Sequence, residues 1–237
     1  MSVNGTKVVV LAGGKGIRFR PFSFVIPKPL MPIGEDPILL HLINRFKKCN
    51  IRDFLISTGY QAELIRAYFG DGSRFGVEIK YFHEEKPLGT AGPLTLMQQE
   101  FSDEEYLFLI NGDIYTELDF EDMAQFAKNH QYDLVVGYVE KIEANRFGVL
   151  DITDGQIGRI IEKPETRYCV SSGIYTMKGK AIRSIPNGEF FTMPDLINSY
   201  LSRGAKVGAY KIENFWIGIE NAENLDEVLK RLEGNPT

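Results

Sequence analysis

The chain has 237 residues, of which 43% are hydrophobic and 25% charged, and its formal net charge is −5. This length and composition predict a globular protein with a single domain over residues 1–237, and the negative charge argues against a nucleic-acid-binding surface. Apolar runs fall short of the ~20 residues of a membrane helix, the N-terminus lacks signal-peptide features, and the only cysteines are two distant residues. These features predict a cytoplasmic protein with free thiols and no membrane partner.

Short apolar runs alternate with amphipathic helical patterns along the chain. Predicted strands cover 7–11, 53–58, 77–82, 106–111, 133–139, 147–153, 157–162, 172–177 and 206–211. Predicted helices cover 37–49, 61–69, 91–99, 119–130, 178–184, 193–203 and 222–232. Repeated βα units predict an α/β fold with a mostly parallel sheet, in which ligands bind beyond the carboxyl ends of the strands. A hairpin is expected to join 147–153 to 157–162 across Asp154-Gly155.

The first predicted strand ends in a glycine-rich turn that favours phosphate binding. Glycines leave the backbone N–H groups open to phosphate oxygens, and Arg18 and Lys28 add two cations shortly after the turn. Such an arrangement can hold a nucleoside triphosphate while its phosphorus is attacked. The residues expected to contact the nucleotide here are Leu11, Ala12, Gly13, Gly14, Lys15 and Gly16.

The spacing of this turn excludes two common phosphate-binding motifs. A dinucleotide fingerprint needs glycine where Phe19 stands, and a P-loop needs Gly-Lys-Ser/Thr, which does not follow the first glycine. An ordinary βα turn with surface cations is the simpler alternative. The turn, Arg18, Pro21 and Pro27-Lys28-Pro29-Leu30 nevertheless occur in one fixed order.

That order resembles the signature GGxGTRLxPxTxxxPKPL of the sugar-1-phosphate nucleotidyltransferases, with Ile17 and Ser23 at its two threonine positions. The motif Pro87-Leu88-Gly89-Thr90-Ala91-Gly92 is similar to the corresponding motif of the mannose- and heptose-1-phosphate guanylyltransferases of that family. The resemblance implies a Rossmann-like three-layer α/β/α fold of the GT-A-like kind. It also implies Arg18 and Lys28 as catalytic residues. The chain ends near Leu232, so we expect a minimal catalytic unit.

Asp113 is the candidate metal ligand. It follows the strand 106–111 and Gly112, at the carboxyl end of a strand where a carboxylate can hold Mg²⁺ against phosphates. A turn aspartate without a ligand is the alternative. The resembled family places its first metal ligand in this Gly-Asp motif, which implies Asp113 as the Mg²⁺ ligand and Gly112 as a nucleotide contact. Its second metal aspartate corresponds here to Gly218, and Glu220 starts too far along the chain to replace it.

The segment 84–92 resembles the family's base-recognition loop. Relatives that transfer pyrimidine nucleotides carry glutamine where Glu84 stands. A carboxylate only accepts hydrogen bonds, whereas guanine offers two adjacent donors, so Glu84 or Glu85 favours GTP. Gly89 and Thr90 are expected to contact the nucleotide. A solvated pair of acids is the alternative reading.

The expected sugar-phosphate contacts come from three further segments. Glu162 and Lys163 begin a Glu-Lys-Pro motif in which the ammonium could pair with the sugar phosphate. Gly148 lies in a Phe-Gly-Val segment, and Ser171 stands where the family commonly has asparagine. The serine leaves the identity of the sugar open.

These features predict transfer of a nucleotidyl group from an NTP to a sugar 1-phosphate, with Mg²⁺ as cofactor. A second hypothesis is a nucleotide-sugar-binding regulator that lacks the second metal aspartate. A third, a cytidylyltransferase of the isoprenoid type, shares the glycine-rich turn but not Pro-Lys-Pro-Leu. The sequence leaves the oligomeric state open, a homodimer included.

Overall fold

The computed structural model describes residues 5–234. The strands are β1 (Lys7–Ala12), β2 (Pro32–Ile33), β3 (Asp36–Pro37), β4 (Asp53–Thr58), β5 (Glu78–His83), β6 (Tyr106–Asn111), β7 (Ile114–Thr116), β8 (Leu134–Ala144), β9 (Val149–Thr153), β10 (Gln156–Ile161), β11 (Glu165–Lys178), β12 (Val207–Lys211) and β13 (Trp216–Gly218). The α-helices are α1 (Ile38–Lys48), α2 (Ala62–Phe69), α3 (Phe120–Asn129), α4 (Met193–Ser202) and α5 (Ala222–Leu232). Short 3₁₀ segments cover Ile17–Phe19, Phe22–Phe24, Lys28–Leu30, Ser73–Phe75, Gly92–Glu100 and Gly179–Ser184.

A seven-stranded sheet forms the centre of the fold, in the order β12-β8-β11-β6-β1-β4-β5. The pairs β6–β1, β1–β4, β4–β5 and β12–β8 are parallel, and only β11 runs antiparallel to its two neighbours. The expected mostly parallel sheet is therefore confirmed. In the interior strand β1, Val8, Val9 and Val10 are fully buried, as expected for a strand that is covered on both faces.

Helices cover both faces of the sheet and complete the three layers. Helices α1, α2 and α3 pack on one face, where the rings of Phe46 and Phe120 stack with centroids 3.7 Å apart. The segments Gly92–Glu100 and Gly179–Ser184 and helix α4 pack on the other face. The α/β/α arrangement inferred from the sequence is thus confirmed. Among residues 5–234, no helix is long and apolar enough to cross a lipid bilayer.

For two of the predicted helices, the predicted helix type is wrong. Segments 91–99 and 178–184 form 3₁₀ segments instead of α-helices. Each begins at a glycine, a poor helix former, and the first also contains Pro93 and departs from helical geometry at Met97. Sequence periodicity marks their buried faces but does not distinguish the two helix types.

Two strands are much longer than the sequence patterns indicate. β8 continues to Ala144 and β11 begins at Glu165, and their outer halves pair with each other as a ribbon that extends beyond the sheet. We call residues 139–171 the arm. At its end β9 and β10 form the expected hairpin, where Asp154 and Gly155 have φ of 51° and 78°, as a tight hairpin turn requires. All residues of β9 and β10 are exposed, so alternation gives little guide to the arm's limits.

Candidate functional site

A cavity of about 900 Å³ lies at the carboxyl ends of β1, β4, β5 and β6. Every residue that the sequence assigned to the nucleotide, to catalysis or to the metal lies on its wall. The cavity is lined by Leu11, Ala12, Gly13, Gly14, Lys15, Gly16, Ile17, Arg18, Phe19, Lys28, Pro29, Gly59, Tyr60, His83, Glu84, Glu85, Lys86, Pro87, Gly89, Thr90, Asn111, Gly112, Asp113 and Phe190. The location agrees with the rule that open parallel sheets bind ligands beyond their carboxyl ends.

The glycine-rich turn is held by close backbone contacts with the neighbouring strand ends. A methyl group on Gly59 would lie 2.9 Å from the carbonyl oxygen of Gly13, and one on Gly13 would lie 2.6 Å from Oε1 of Glu84. The amide of Tyr60 donates to the same Gly13 carbonyl at 3.4 Å. The ends of β1, β4 and β5 therefore meet closely, and a side chain is blocked by backbone at Gly59 and by the Glu84 carboxylate at Gly13.

Glu84 links the turn to the segment 84–92. Its Oε1 accepts a hydrogen bond from Ser57 Oγ at 2.6 Å, and its Oε2 accepts one from the Leu88 amide at 3.1 Å. Each carboxylate oxygen keeps a lone pair for another donor. Glu85 is exposed on the cavity wall beside it. Glu84 thus has a structural role that the sequence did not reveal, while both acids remain within the cavity.

Two cations of the cavity wall form ion pairs with carboxylates. Lys28 Nζ lies 2.5 Å from Asp113 Oδ2 and 5.5 Å from the centroid of the Phe19 ring. The Lys28 side chain is only 15% exposed. Arg18 forms an ion pair with Glu220, and its side chain is 70% exposed. Both cations therefore line the cavity, Lys28 largely buried in its ion pair and Arg18 exposed.

The residues present fit a magnesium ion through one carboxylate. Asp113 is the acid at the carboxyl end of β6, and its carbonyl oxygen accepts from the Ile219 amide at 2.8 Å. Gly218 pairs with Ile114 of β7 and has no side chain to offer. Among residues 5–234, no group of three His, Cys, Asp or Glu side chains could hold a metal. Mg²⁺ is usually bound by one or two carboxylates together with phosphates and waters. Asp113 supplies the one carboxylate that is the minimum for such a site.

The four expected sugar-phosphate residues lie on the arm, outside the cavity wall. The structure brings Gly148 and Glu162 together, since a methyl group on Gly148 would lie 3.1 Å from Glu162 Oε2. Lys163 has φ of 45°, an uncommon backbone conformation directly before a proline. At the base of the arm, Ser171 Oγ lies 3.0 Å from the hydroxyl of Tyr175. Burial raises the pKa of Tyr175, so this phenol stays neutral.

Sequence reasoning missed several residues of the cavity wall, of which Phe190 is the largest side chain with high exposure. It comes from the segment before α4, about 100 residues from the segment that it contacts. Its only sequence signal is a pair of adjacent aromatic residues, Phe190 and Phe191, next to a helix N-cap. That pattern has no periodicity and resembles ordinary core sequence.

Comparisons with known proteins agree with this geometry. A family model described as Nucleotidyl transferase matches residues 7–233. The mannose-1-phosphate guanylyltransferase catalytic subunit beta of Danio rerio is 30% identical over 219 residues, covering 90% of this chain and 61% of that protein. The chain thus spans about three fifths of the length of the curated relatives that it matches.

Solved structures match over nearly the whole chain. A Bacillus anthracis protein assigned as a glucose-1-phosphate thymidylyltransferase, in complex with a sucrose, has a TM-score of 0.77 and 26% identity, covering 98% of this chain and 96% of that one. HddC from Yersinia pseudotuberculosis, complexed with GMP-PN, has a TM-score of 0.75 and 25% identity, covering 96% and 99%.

Proposed function

The chain belongs to the nucleotidyl transferase family, and from that premise we propose that it transfers the nucleotidyl group of an NTP to a sugar 1-phosphate and releases pyrophosphate. GTP is the proposed donor. The observation that carries the proposal is one cavity that combines the glycine-rich turn, Arg18, Lys28 and Asp113. The similarity to a mannose-1-phosphate guanylyltransferase adds independent support.

In the proposed reaction, a phosphate oxygen of the sugar 1-phosphate attacks the α-phosphorus of the NTP and the bond to pyrophosphate breaks. The attacking phosphate is already anionic, so no general base is required. The main obstacles are repulsion between anions and charge build-up around phosphorus, which fixed cations and alignment reduce. Lys28 would hold the α-phosphate and the incoming phosphate, and Arg18 the β- and γ-phosphates. Lys163 on the arm would hold the sugar phosphate.

Asp113 would hold Mg²⁺, which neutralises charge on the phosphates during transfer. Its carboxylate lies 2.5 Å from Lys28, so the metal and the lysine would act on the same phosphates. A lone carboxylate is a weak site by itself, and the phosphates must supply further ligands. We therefore expect half-saturating Mg²⁺ in the millimolar range, as an order-of-magnitude value.

The guanine preference rests on the acids of the segment 84–92. Guanine presents two adjacent donors, and a carboxylate can accept both. Glu84 is held in place by Ser57 and Leu88, and Glu85 lies exposed beside it. A fixed acceptor on the cavity wall suits the two adjacent donors of guanine better than the edge of a pyrimidine, which combines donors and acceptors.

A regulatory protein that binds nucleotide sugar without turnover is the second candidate. Gly218 favours it, because this position lacks the second carboxylate that the family commonly supplies. A methyl group on Gly218 would meet only the Trp216 ring, at 3.8 Å and 3.9 Å, so the Cβ atom of an introduced aspartate meets no close obstacle. Gly218→Asp should lower the Mg²⁺ requirement of an active enzyme, measured as the half-saturating concentration, whereas Glu220→Ala should change it little.

The deciding experiment measures pyrophosphate release with four NTPs and a panel of sugar 1-phosphates. We expect turnover with GTP and at least one sugar 1-phosphate, in a metal-dependent manner. Absence of turnover in the wild type together with its appearance in Gly218→Asp would support the regulator. A clear preference for UTP or dTTP would contradict the proposed donor.

A further inference from the structure

The cavity wall combines two groups of residues that differ in chemistry. Arg18, Lys28 and Asp113 form a charged group, where the phosphates and the metal would bind. Gly89, Thr90 and Phe190 form the other group, which carries an aromatic ring beside the loop 84–92. A nucleotide with its phosphates at the charged group leaves the aromatic ring as a surface for its base.

The backbone that follows Phe190 is held by hydrogen bonds to the loop 84–92. The amide of Phe191 donates to the Leu88 carbonyl at 2.9 Å, and the Phe191 carbonyl accepts from the amides of Ala91 and Gly92, both at 2.9 Å. The Met193 amide donates to Thr90 Oγ1 at 2.8 Å. The segment 188–193 and the loop 84–92 therefore form one hydrogen-bonded unit.

Within that unit, the Phe190 ring lies next to Gly89. A methyl group on Gly89 would lie 3.4 Å from Cε2 of Phe190. The ring nevertheless remains 66% exposed while it lines the cavity. A large aromatic side chain that a rigid backbone keeps uncovered at a cavity wall is a suitable surface for a flat ligand.

We propose that Phe190 is a binding residue for the nucleobase of the NTP, with its ring packed against the base. The inference rests on the proposed function, which supplies the NTP as ligand. Aromatic packing tolerates every base, but a purine covers more of the ring than a pyrimidine does. Phe190 would therefore favour purine nucleotides in general, and the acids of the loop 84–92 would select guanine among them.

The test separates the base from the phosphates by calorimetric titration with GTP and with inorganic tripolyphosphate, both in the presence of Mg²⁺. Phe190→Ala should weaken GTP binding about tenfold, within the range typical of base–aromatic contacts, and should leave tripolyphosphate binding unchanged. Phe190→Tyr should retain GTP affinity. The matched control is Phe22→Ala, because Phe22 is equally exposed, at 67%, and lies outside the cavity wall.

Several results would overturn the inference: unchanged GTP affinity in Phe190→Ala, an equal loss of both ligands, or absence of NTP binding to the wild type. Equal loss would mean that Phe190 supports the loop and not the base. The transfer reaction is assessed separately by pyrophosphate release. If the wild type binds GTP and Phe190→Ala loses it, the inference holds even if no sugar 1-phosphate is used. If transfer occurs and Phe190→Ala keeps the wild-type affinity, only the inference fails.

Discussion

At the scale of single residues, the two cations differ in how firmly the protein holds them. Lys28 is largely buried against Asp113 and Phe19, whereas Arg18 is exposed with one surface partner. Both should nevertheless act on transferring phosphates, so Arg18→Ala and Lys28→Ala should each lower kcat/KM at least about a hundredfold. Pyrophosphate release under steady-state conditions measures this effect.

The same two variants, Arg18→Ala and Lys28→Ala, should differ in folding stability. Arg18→Ala should leave the melting temperature nearly unchanged, because exposed ion pairs contribute little. Lys28→Ala should cost about 1 kcal/mol, because the half-buried Asp113 loses its partner. The control is Arg20→Ala, whose side chain lies on the same turn but outside the cavity wall. Near-native turnover in either cation variant would contradict the phosphate assignment.

The two acids of the loop 84–92, Glu84 and Glu85, can also be tested one at a time. Glu84→Gln keeps an acceptor for the Leu88 amide and a polar group for Ser57, so the fold should be preserved. If Glu84 accepts from guanine, this variant should reduce the preference for GTP over UTP by an amount on the order of 1–3 kcal/mol. Glu85→Gln is the matched comparison. Ranking NTPs by kcat/KM in both variants shows which acid reads the base, and unchanged preference in both would contradict the guanine assignment.

The grouping of the candidate residues was the most predictable part of the site. The residues assigned from the glycine-rich turn, the loop 84–92 and Asp113 all line one cavity. Sequence could not reveal the partners that fix them, because Lys28 and Asp113, or Arg18 and Glu220, are far apart along the chain. Phe190 was missed for the same reason, since its role depends on contact with Gly89.

At the scale of elements, the joined segments 84–92 and 188–193 support one prediction about Gly89. This residue has φ of +83°, and a methyl group there would lie 2.6 Å from the Phe191 carbonyl oxygen. Gly89→Ala should therefore lower the free energy of unfolding by roughly 1–3 kcal/mol and weaken GTP binding. Gly188→Ala is the matched control, because Gly188 also has positive φ, +68°, but no atom within 4 Å of the added methyl.

Thermal unfolding and GTP titration of both glycine variants measure the effect. An equal loss of stability in Gly89→Ala and Gly188→Ala would mean that the positive φ alone accounts for the loss. A smaller loss in Gly188→Ala would assign the difference to the contact between the two segments.

The elements themselves were predictable to different degrees. Strands β4 and β6 match their expected limits, because each is a continuous apolar run bounded by turn residues. The arm was underestimated, because its exposed strands carry no burial pattern. The short strands β7 and β13 were missed, since each has only three residues and depends on the other for pairing.

At the scale of the whole molecule, the cavity draws its wall from four strand ends and the segment before α4, so ligand binding should stabilise the entire sheet. GTP with Mg²⁺ at a hundredfold excess over Kd should add about 2.7 kcal/mol. For a domain of this size the melting temperature should rise by roughly 5–11 °C. EDTA should reduce the rise, because in the proposed site Asp113 and the phosphates would hold the metal jointly. An equal rise with and without EDTA would contradict the metal assignment.

The alternation of apolar runs and helical patterns was sufficient to predict the three layers and the mostly parallel sheet. It could not predict the strand order, in which β8 lies between β11 and β12, because that order depends on contacts between distant segments. Nor did it indicate that the residues expected to contact the sugar phosphate lie on the arm, since their motifs specify residue types and not distance from the sheet.

The close approach of Gly13 and Gly59 has a consequence for how the sequence can vary. In a saturation library, each position is changed to the nineteen other residues, and all of them add a Cβ atom. That atom would lie 2.6 Å from Glu84 Oε1 at Gly13, and 2.9 Å from the Gly13 carbonyl oxygen at Gly59. The obstacle at Gly59 is a backbone oxygen, which cannot turn aside as a side chain can. Deep sequencing after selection for folded protein should therefore recover only glycine at Gly59. Gly13 should admit rare alanine when Glu84 is shortened in the same clone.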